Sequence, residues 1–310
     1  LNFVSLKIPE HASMTHFCVV GSTGSGKTIS IRLLMQDVLP YIGTTRNLRA
    51  LIYDAKRDTM PVLNGMNVHC KVHLLNPFDA RSVSWDMARD ITTPAAALQA
   101  ATLLIREETE SQNSYFSNAA RELVNGVIKS FILTSPGKWT LRDVILAMQD
   151  REALKQILLR CPMTESLVSD FMDAKEFPSI RSTIATKLGP YSIIAALWSN
   201  ASQSLSLSDW LQSESILVLG SDDSIRAAMD AINRVLFQRM SELVVSQVES
   251  TTRRTWIVVD EAREAGEFEG LRTLLNKDRA KGACVVLGFQ SIGGMRDVYT
   301  QNGAGNVVGK

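Results

Sequence analysis

Apolar residues occur in two different patterns along the chain, and the change between them predicts how the chain is organised. Towards both ends, short unbroken apolar runs alternate with segments of helical periodicity, which is typical of a parallel sheet covered on both faces. The runs predict strands at residues 1–8, 17–20, 48–53, 72–75, 215–219, 255–259 and 283–289. Helices are predicted near them at residues 29–39, 224–248 and 266–276. We therefore predict an α/β fold with a mostly parallel sheet.

The middle of the chain has a purely helical pattern. From about residue 93, apolar positions recur at helical spacing, with breaks at Pro and Gly and no convincing strand signal. These positions predict amphipathic helices at residues 95–106, 115–133, 141–149, 152–159 and 180–198. We therefore predict that residues 1–92 and 206–310 form two parts of one sheet domain, into which an all-α domain of residues 93–205 is inserted.

The composition excludes some classes of protein. Of 310 residues, 45% are hydrophobic and 21% charged, and the net charge is +1, so contact with a nucleic acid would depend on local basic patches. The four cysteines form no C-x-x-C pair, which argues against zinc and fits reduced thiols in the cytoplasm. No apolar run reaches about 18 residues, so we expect no membrane span. Because the chain starts within a predicted strand, we expect a soluble fragment of a longer protein.

Residues 21–28 carry the first chemical signal. They match the phosphate-binding pattern G-x-x-x-x-G-K-[ST] with Gly21, Ser22, Thr23, Gly24, Ser25, Gly26, Lys27 and Thr28. A strand is predicted before them and a helix after them, a context that a chance glycine-rich turn would not need. In that context, backbone N–H groups bind an anion, Lys27 neutralises the β- and γ-phosphates, and Thr28 is a ligand of magnesium. The motif therefore predicts a site for a nucleoside triphosphate, ATP, together with Mg²⁺.

Asp260 and Glu261 follow the apolar strand predicted at residues 255–259. In a nucleotide-binding parallel sheet, ligands bind at the carboxyl ends of the strands. A phosphate-loop ATPase needs one acid there to hold Mg²⁺ and often a second to polarise the attacking water. Asp260 suits the first role and Glu261 the second. On its own, the pair would also suit the charged start of a helix.

Two further polar residues belong to the last predicted strand and to the loop before it. Gln290 follows the strand and could sense the γ-phosphate or orient water, although a polar residue at a strand end needs no such role. Arg279 lies in the basic stretch 277–282. Composition alone favours a solvated loop there, whereas ring ATPases use loops of this kind to supply an arginine to the neighbouring subunit.

Four stretches together resemble the conjugative type IV coupling proteins, the TraD/TraG class of ring ATPases related to septal DNA translocases. They are the phosphate loop, Asp54-Ala55-Lys56, residues 75–81 (Leu-Asn-Pro-Phe-Asp-Ala-Arg) with Trp85-Asp86, and residues 281–291. The stretch 75–81 is the most specific of them. One departure is Ala262-Arg263-Glu264, where the family usually has Leu-Pro after the acids.

The resemblance implies a RecA-like P-loop NTPase core that carries an all-α domain and assembles as a homo-hexamer around a DNA channel. It implies a motor at the cytoplasmic face of a bacterial inner membrane, attached through segments absent from this chain. The motor would pass single- or double-stranded DNA, with its bound relaxase, to a type IV secretion channel. The residues that match the family's motifs are Lys27 and Thr28 in the phosphate loop, Asp260 and Glu261 as the Walker B acids, Gln290 as the sensor and Arg279 as the finger acting on a neighbouring subunit.

Three functions remain open from the sequence. They are a DNA-translocating ATPase, a coupling ATPase specialised for protein substrates, and a nucleotide-binding scaffold with little turnover. The pair Asp260-Glu261 argues against the scaffold. Basic candidates for a DNA path are Lys56, Arg57, Arg81 and Arg226, although scattered basic residues are usually solvated surface.

Overall fold

The computed structural model describes residues 16–106, 114–222, 225–262, 270–271, 274–275, 279–291 and 293. The strand predicted at residues 1–8 lies outside these ranges, and so does most of the helix predicted at residues 266–276. The chain divides into two compact units. One comprises Leu1–Asn76, Asp209–Arg226 and Leu236–Lys310, and the other comprises Pro77–Ser208 and Ala227–Val235.

The first unit is built on a parallel sheet of six strands. The strands of this sheet are β1 (Phe17–Val20), β2 (Leu48–Asp54), β3 (Val72–Leu75), β6 (Ile216–Gly220), β7 (Arg254–Val259) and β8 (Ala283–Phe289). Their order is β1-β8-β7-β2-β6-β3, and every neighbouring pair is parallel. The predicted α/β class with a parallel sheet is confirmed. Because all six strands run the same way, their carboxyl ends lie along one edge.

The central strands are apolar on both faces because the sheet is covered on both sides. Every residue of β7 and β8 is buried. On one face, a core cluster joins Ile31 and Met35 of the first helix to alternate residues of β2, β6, β7 and β8. In that helix, Lys27 precedes Ile31 and Met35 at intervals of four residues and shares their buried stripe. The helix that packs on the sheet therefore also sets the position of Lys27.

Most of the helices agree with predicted ones, and three short helices, over residues 59–65, 87–90 and 207–212, were not predicted. They are α1 (Lys27–Val38), α2 (Thr59–Gly65), α3 (Met87–Asp90), α4 (Pro94–Leu104), α5 (Ser114–Thr134), α6 (Leu141–Gln149), α7 (Arg151–Leu159), α8 (Phe177–Trp198), α9 (Leu207–Gln212) and α10 (Arg226–Val245). Helix α8 begins three residues before the predicted start at 180, because Pro178 occupies the first turn, where a missing N–H costs nothing. In the part of the chain that the structure describes, no helix combines the length and the apolar character needed to cross a membrane.

Residues 77–92 group with the helices of the second unit, together with the predicted insertion of residues 93–205. Two short strands, β4 (Ser84–Trp85) and β5 (Ser204–Leu205), pair in parallel and join the two ends of this unit. No strand was predicted at these positions, since two residues are too few to show a period.

Candidate nucleotide-binding site

The phosphate loop connects β1 to α1 in a conformation that requires glycine. Gly24 and Gly26 have φ angles of 81° and 88°, in the left-handed region that side chains disfavour. A Cβ atom on Gly21 would lie 2.3 Å from Ser25 Oγ. The Gly21 N–H donates to the carbonyl of Phe289 at 3.1 Å, which ties the start of the loop to the end of β8. The loop ends at the N-terminus of α1, where backbone N–H groups can bind an anion.

Thr28 and Asp260 meet across the sheet edge. The Thr28 hydroxyl donates to Asp260 Oδ2 at 2.8 Å. Asp260 Oδ1 is buried and accepts no hydrogen bond from any described residue, so the carboxylate keeps acceptor capacity. A hydroxyl and a carboxylate suit Mg²⁺, which usually takes few protein ligands and completes its shell with water and phosphate. Within the described ranges no cluster of three or more acids, histidines or cysteines offers a metal cage, which agrees with such a sparse site.

Gly288 gives Asp260 the space that it occupies. A Cβ atom on this glycine would lie 2.7 Å from Asp260 Oδ1 and 3.0 Å from Ile31 Cδ1. Strand β8 thus passes directly beside the carboxylate, and only a residue without a side chain fits at that point. The sequence analysis did not identify Gly288 as a site residue. A glycine two residues before Gln290 in an otherwise apolar strand was the available signal.

Glu261 is held in an unusual backbone conformation by three donors. Its φ angle is 62°, in the left-handed region that a residue with a side chain rarely adopts. Lys27 Nζ lies 3.4 Å and Lys56 Nζ 3.0 Å from Glu261 Oε1, while Gln290 Nε2 donates to Oε2 at 3.1 Å. Strain of this kind is often found at functional sites, where the surrounding structure maintains it.

The donors also set the charge of the Glu261 carboxyl group. Burial raises the pKa of Glu261, but hydrogen bonds from Lys56 and Gln290 and the charges of Lys56 and Lys27 outweigh burial, so its pKa lies below the ordinary value. Burial likewise lowers the pKa of Lys56, while its hydrogen bond to Glu261 and the nearby carboxylates raise the pKa above the ordinary value. At neutral pH the pair is therefore fully ionised, as a carboxylate that polarises water must be.

The order of the strands brings Gln290 between the phosphate loop and the acids. Strand β8 lies between β1 and β7, so the residue that follows β8 is next to both. For Arg279, the structure describes only the backbone, which begins the short 3₁₀ helix Arg279–Lys281. Its side chain lies outside the described part of the chain.

The basic residues considered for a DNA path are mostly paired with acids. Lys56 contacts Glu261, Arg57 forms an ion pair with Asp222, and Arg81 forms one with Asp79 at 2.6 Å. In the sequence, Lys56 belonged to the family-like stretch Asp54-Ala55-Lys56 and was a candidate for a DNA path, but no role at the nucleotide site was predicted for it. The signal that it belongs to the site was its position just after a strand whose carboxyl end meets the same edge.

Most residues of the phosphate loop, together with Lys56, Glu261 and Gln290, line one open cleft of about 440 Å³. Its walls are Ser22, Thr23, Gly24, Gly26, Lys27, Thr28, Ile29, Lys56, Glu261 and Gln290. A phosphate loop between a strand and a helix, with two acids after another strand of the same parallel sheet, defines a P-loop NTPase. Residues 1–310 match the family described as the type IV secretion-system coupling protein DNA-binding domain, and the chain belongs to that family. The resemblance found in the sequence is confirmed.

Individual relatives are distant in sequence. Coupling protein TraD of Escherichia coli (strain K12) is 23% identical over 315 residues, which cover 97% of this chain and 41% of TraD. This chain therefore spans about two fifths of that relative. The solved structure of plasmid coupling protein TrwB with ADP and Mg²⁺ superposes with a TM-score of 0.74 at 22% identity, over 97% of this chain and 70% of TrwB. VirB4 of Thermoanaerobacter pseudethanolicus gives a TM-score of 0.59 at 12% identity, over 96% and 75% of the two chains.

Proposed function

We propose that this chain is the ATP-hydrolysing motor segment of a coupling protein that binds DNA and drives it into a type IV secretion channel. The observation that carries the proposal is the convergence of Lys27, Lys56 and Gln290 on Glu261, beside the Thr28–Asp260 pair. A scaffold that only binds nucleotide has no need of a buried, ionised glutamate in contact with the lysine of the phosphate loop. The membership of a coupling-protein family supports DNA as the partner.

The residues of the cleft, together with Asp260, have different roles in hydrolysis. Lys27 leaves Glu261 for the β- and γ-phosphates, since phosphate oxygens carry more charge than one carboxylate. Thr28 and Asp260 hold Mg²⁺, which when bound neutralises charge on the phosphate oxygens. Glu261 polarises the attacking water, and Gln290 orients the carboxylate from its other oxygen. Related TrwB structures contain ADP with Mg²⁺ or a non-hydrolysable ATP analogue, which supports ATP and Mg²⁺ as the cofactors here.

The assembly and the partners form part of the same proposal. We propose a homo-hexamer in which Arg279 of one subunit completes the site of the next and DNA passes through the ring. The other partners are the relaxase and the components of the secretion channel. The motor acts at the cytoplasmic face of the bacterial inner membrane, with attachment supplied by regions outside this chain. The helical segment of residues 93–205 is proposed as a domain inserted into the motor core.

ATP turnover of the parent chain and of Lys27→Ala tests this function. We expect hydrolysis by the parent, stimulated by single- or double-stranded DNA, and a loss of about 10²-fold or more in Lys27→Ala, because the lysine offsets phosphate charge in the transition state. Lys71→Ala removes an exposed lysine just before β3, at the opposite end of the sheet, and serves as the matched control. Unchanged turnover in Lys27→Ala would exclude the assigned site. Stimulation by a relaxase but not by DNA would favour the alternative of a coupling ATPase for protein substrates.

A further inference from the structure

We propose that Lys56 is a positioning residue. It keeps the orientation of the Glu261 carboxylate when Lys27 contacts the nucleotide instead of Glu261. The inference rests on the proposed function, because it concerns the same cleft. It assigns a role at the nucleotide site to a residue that the sequence offered only within the stretch Asp54-Ala55-Lys56 and as a candidate for a DNA path. Two features of the molecule support it: the loop after β2 is held in place, and Glu261 is shared between two lysines.

The register of the sheet brings Lys56 to Glu261. Strands β2 and β7 are neighbours, and Tyr53 is paired with Val259. Lys56 lies three residues beyond Tyr53 and Glu261 two residues beyond Val259, so both extend past the same edge. There, Lys56 Nζ lies 3.0 Å from Glu261 Oε1 and 3.7 Å from Asp260 Oδ2. One ammonium group thus contacts both acids.

The loop that carries Lys56 is anchored by contacts of Arg57 and Asp58, the two residues that follow it. Arg57 Nε donates to the carbonyl of Ser221 at 3.1 Å, and its guanidinium pairs with Asp222, both just beyond β6. The Asp58 N–H donates to Asp54 Oδ1 at 3.2 Å, and the Asp58 carboxylate pairs with Arg32 of α1. The backbone at residue 56 is therefore fixed to α1 and to β6, and neither anchor involves the phosphate loop.

Lys27 and Lys56 differ in the groups that they contact once a nucleotide binds. Both donate to Glu261 Oε1, at 3.4 Å and 3.0 Å. Lys27 is the lysine of the phosphate loop, so phosphate oxygens compete for it. Lys56 belongs to a loop that is held apart from the phosphate loop, and Gln290 donates to the opposite oxygen, Oε2, at 3.1 Å. With one donor on each oxygen, the carboxylate keeps its orientation after Lys27 has left.

The test compares Lys56→Met, Lys56→Arg and the matched control Lys71→Met. We expect Lys56→Met to lower kcat by about 10- to 100-fold, the usual effect of removing a group that orients a functional side chain. The affinity for ATP should change by less than about threefold, because Lys56 does not bind phosphate in this proposal. Lys56→Arg should recover most of kcat, and Lys71→Met should behave as the parent. An unchanged kcat in Lys56→Met overturns the proposal.

A double-mutant cycle with Glu261→Gln separates positioning from direct contact with phosphate. If Lys56 acts through Glu261, adding Lys56→Met to Glu261→Gln should lower kcat further by less than about threefold, because the effects of residues acting as a unit do not add. An equal loss in both backgrounds, accompanied by a weaker affinity for ATP, would mean that Lys56 binds the nucleotide itself and overturns the proposal.

A crystal structure of the parent with a non-hydrolysable ATP analogue gives a readout that does not depend on turnover. The proposal requires Lys56 Nζ to remain within hydrogen-bond distance of Glu261 while Lys27 contacts phosphate. Lys56 bound to the γ-phosphate would refute it. Failure of the proposed function is recognised separately, as ATP turnover that Lys27→Ala leaves unchanged.

Discussion

The position of a single carboxylate depends on side chains from four separate parts of the first unit. Glu261 follows β7, and its donors come from α1, from the loop after β2 and from the end of β8. The neighbouring Asp260 depends in addition on the absence of a side chain at Gly288. The site therefore depends on the space that Gly288 leaves beside Asp260 as much as on the charges around Glu261.

Gly288→Ala tests this clearance. The added Cβ would lie 2.7 Å from Asp260 Oδ1, so the carboxylate has to shift from the position in which it accepts from Thr28. We expect kcat to fall by about 10²-fold, as for a displacement of about 1 Å at a reacting group, and the affinity for ATP to lose most of its dependence on Mg²⁺. Titrations of ATP with and without Mg²⁺ measure this. Gly65→Ala is the control, since nothing lies within 4 Å of its added Cβ. Normal Mg²⁺-dependent binding in Gly288→Ala would show that Asp260 tolerates the shift.

In the second unit, one buried carboxylate links the segment before the helices to the segment after them. Asp90, 2% exposed at the end of α3, accepts hydrogen bonds from the Trp85 indole at 2.6 Å and from the Leu207 N–H at 2.8 Å. It also accepts from Ser206 Oγ at 2.9 Å and from the N–H and hydroxyl of Ser208 at 3.0 and 2.8 Å. Together with the β4–β5 pair, Asp90 joins the segment that enters the unit to the segment that leaves it.

Asp90→Ala should destabilise this unit. The substitution leaves buried donors of Trp85 and Leu207 without an acceptor, at a cost of about 3 kcal/mol in the free energy of unfolding. Urea unfolding followed by circular dichroism measures the change. Asp86→Ala is the control, because the hydrogen bond that this N-cap of α3 accepts from Arg89 N is long, at 3.3 Å, and we expect a loss of about 0.5 kcal/mol. Equal losses in the two variants would show that the cluster around Asp90 contributes no more than a cap.

At the scale of the whole molecule, the phosphate loop and the acids belong to strands that are far apart in sequence and close in the sheet. The order β1-β8-β7 brings Lys27 and Glu261 together although 234 residues separate them. The proposed ring extends this arrangement to a second chain, since Arg279 would act on the nucleotide of a neighbouring subunit.

Mixing Arg279→Ala with Lys27→Ala tests the shared site. Each variant alone should lose about 10³-fold in turnover, while Arg279→Ala alone should keep its affinity for nucleotide, because a finger acts on charge that develops in the transition state. In mixed rings an intact Arg279 can face an intact Lys27, so partial activity should return. The measurement is ATP turnover at concentrations where the parent assembles. A mixture as inactive as its components would leave Arg279 as an ordinary basic residue of its loop.

The sequence alone predicted the six strands of the sheet, most of the helices, the phosphate loop and the position of the acids after a strand. These features are local: a period of two or 3.6 residues and a fixed spacing of glycine, lysine and threonine reflect the backbone and the chemistry of one segment. The sheet strands predicted at residues 48–53 and 255–259 therefore agree with β2 and β7 to within one residue at each end. Which side chains contact each other, in contrast, depends on the tertiary structure. Lys56 reaches Glu261 across 205 residues, Gly288 clears Asp260, and Asp90 binds Leu207. Such contacts depend on strand order, register and close packing, and no local period encodes them.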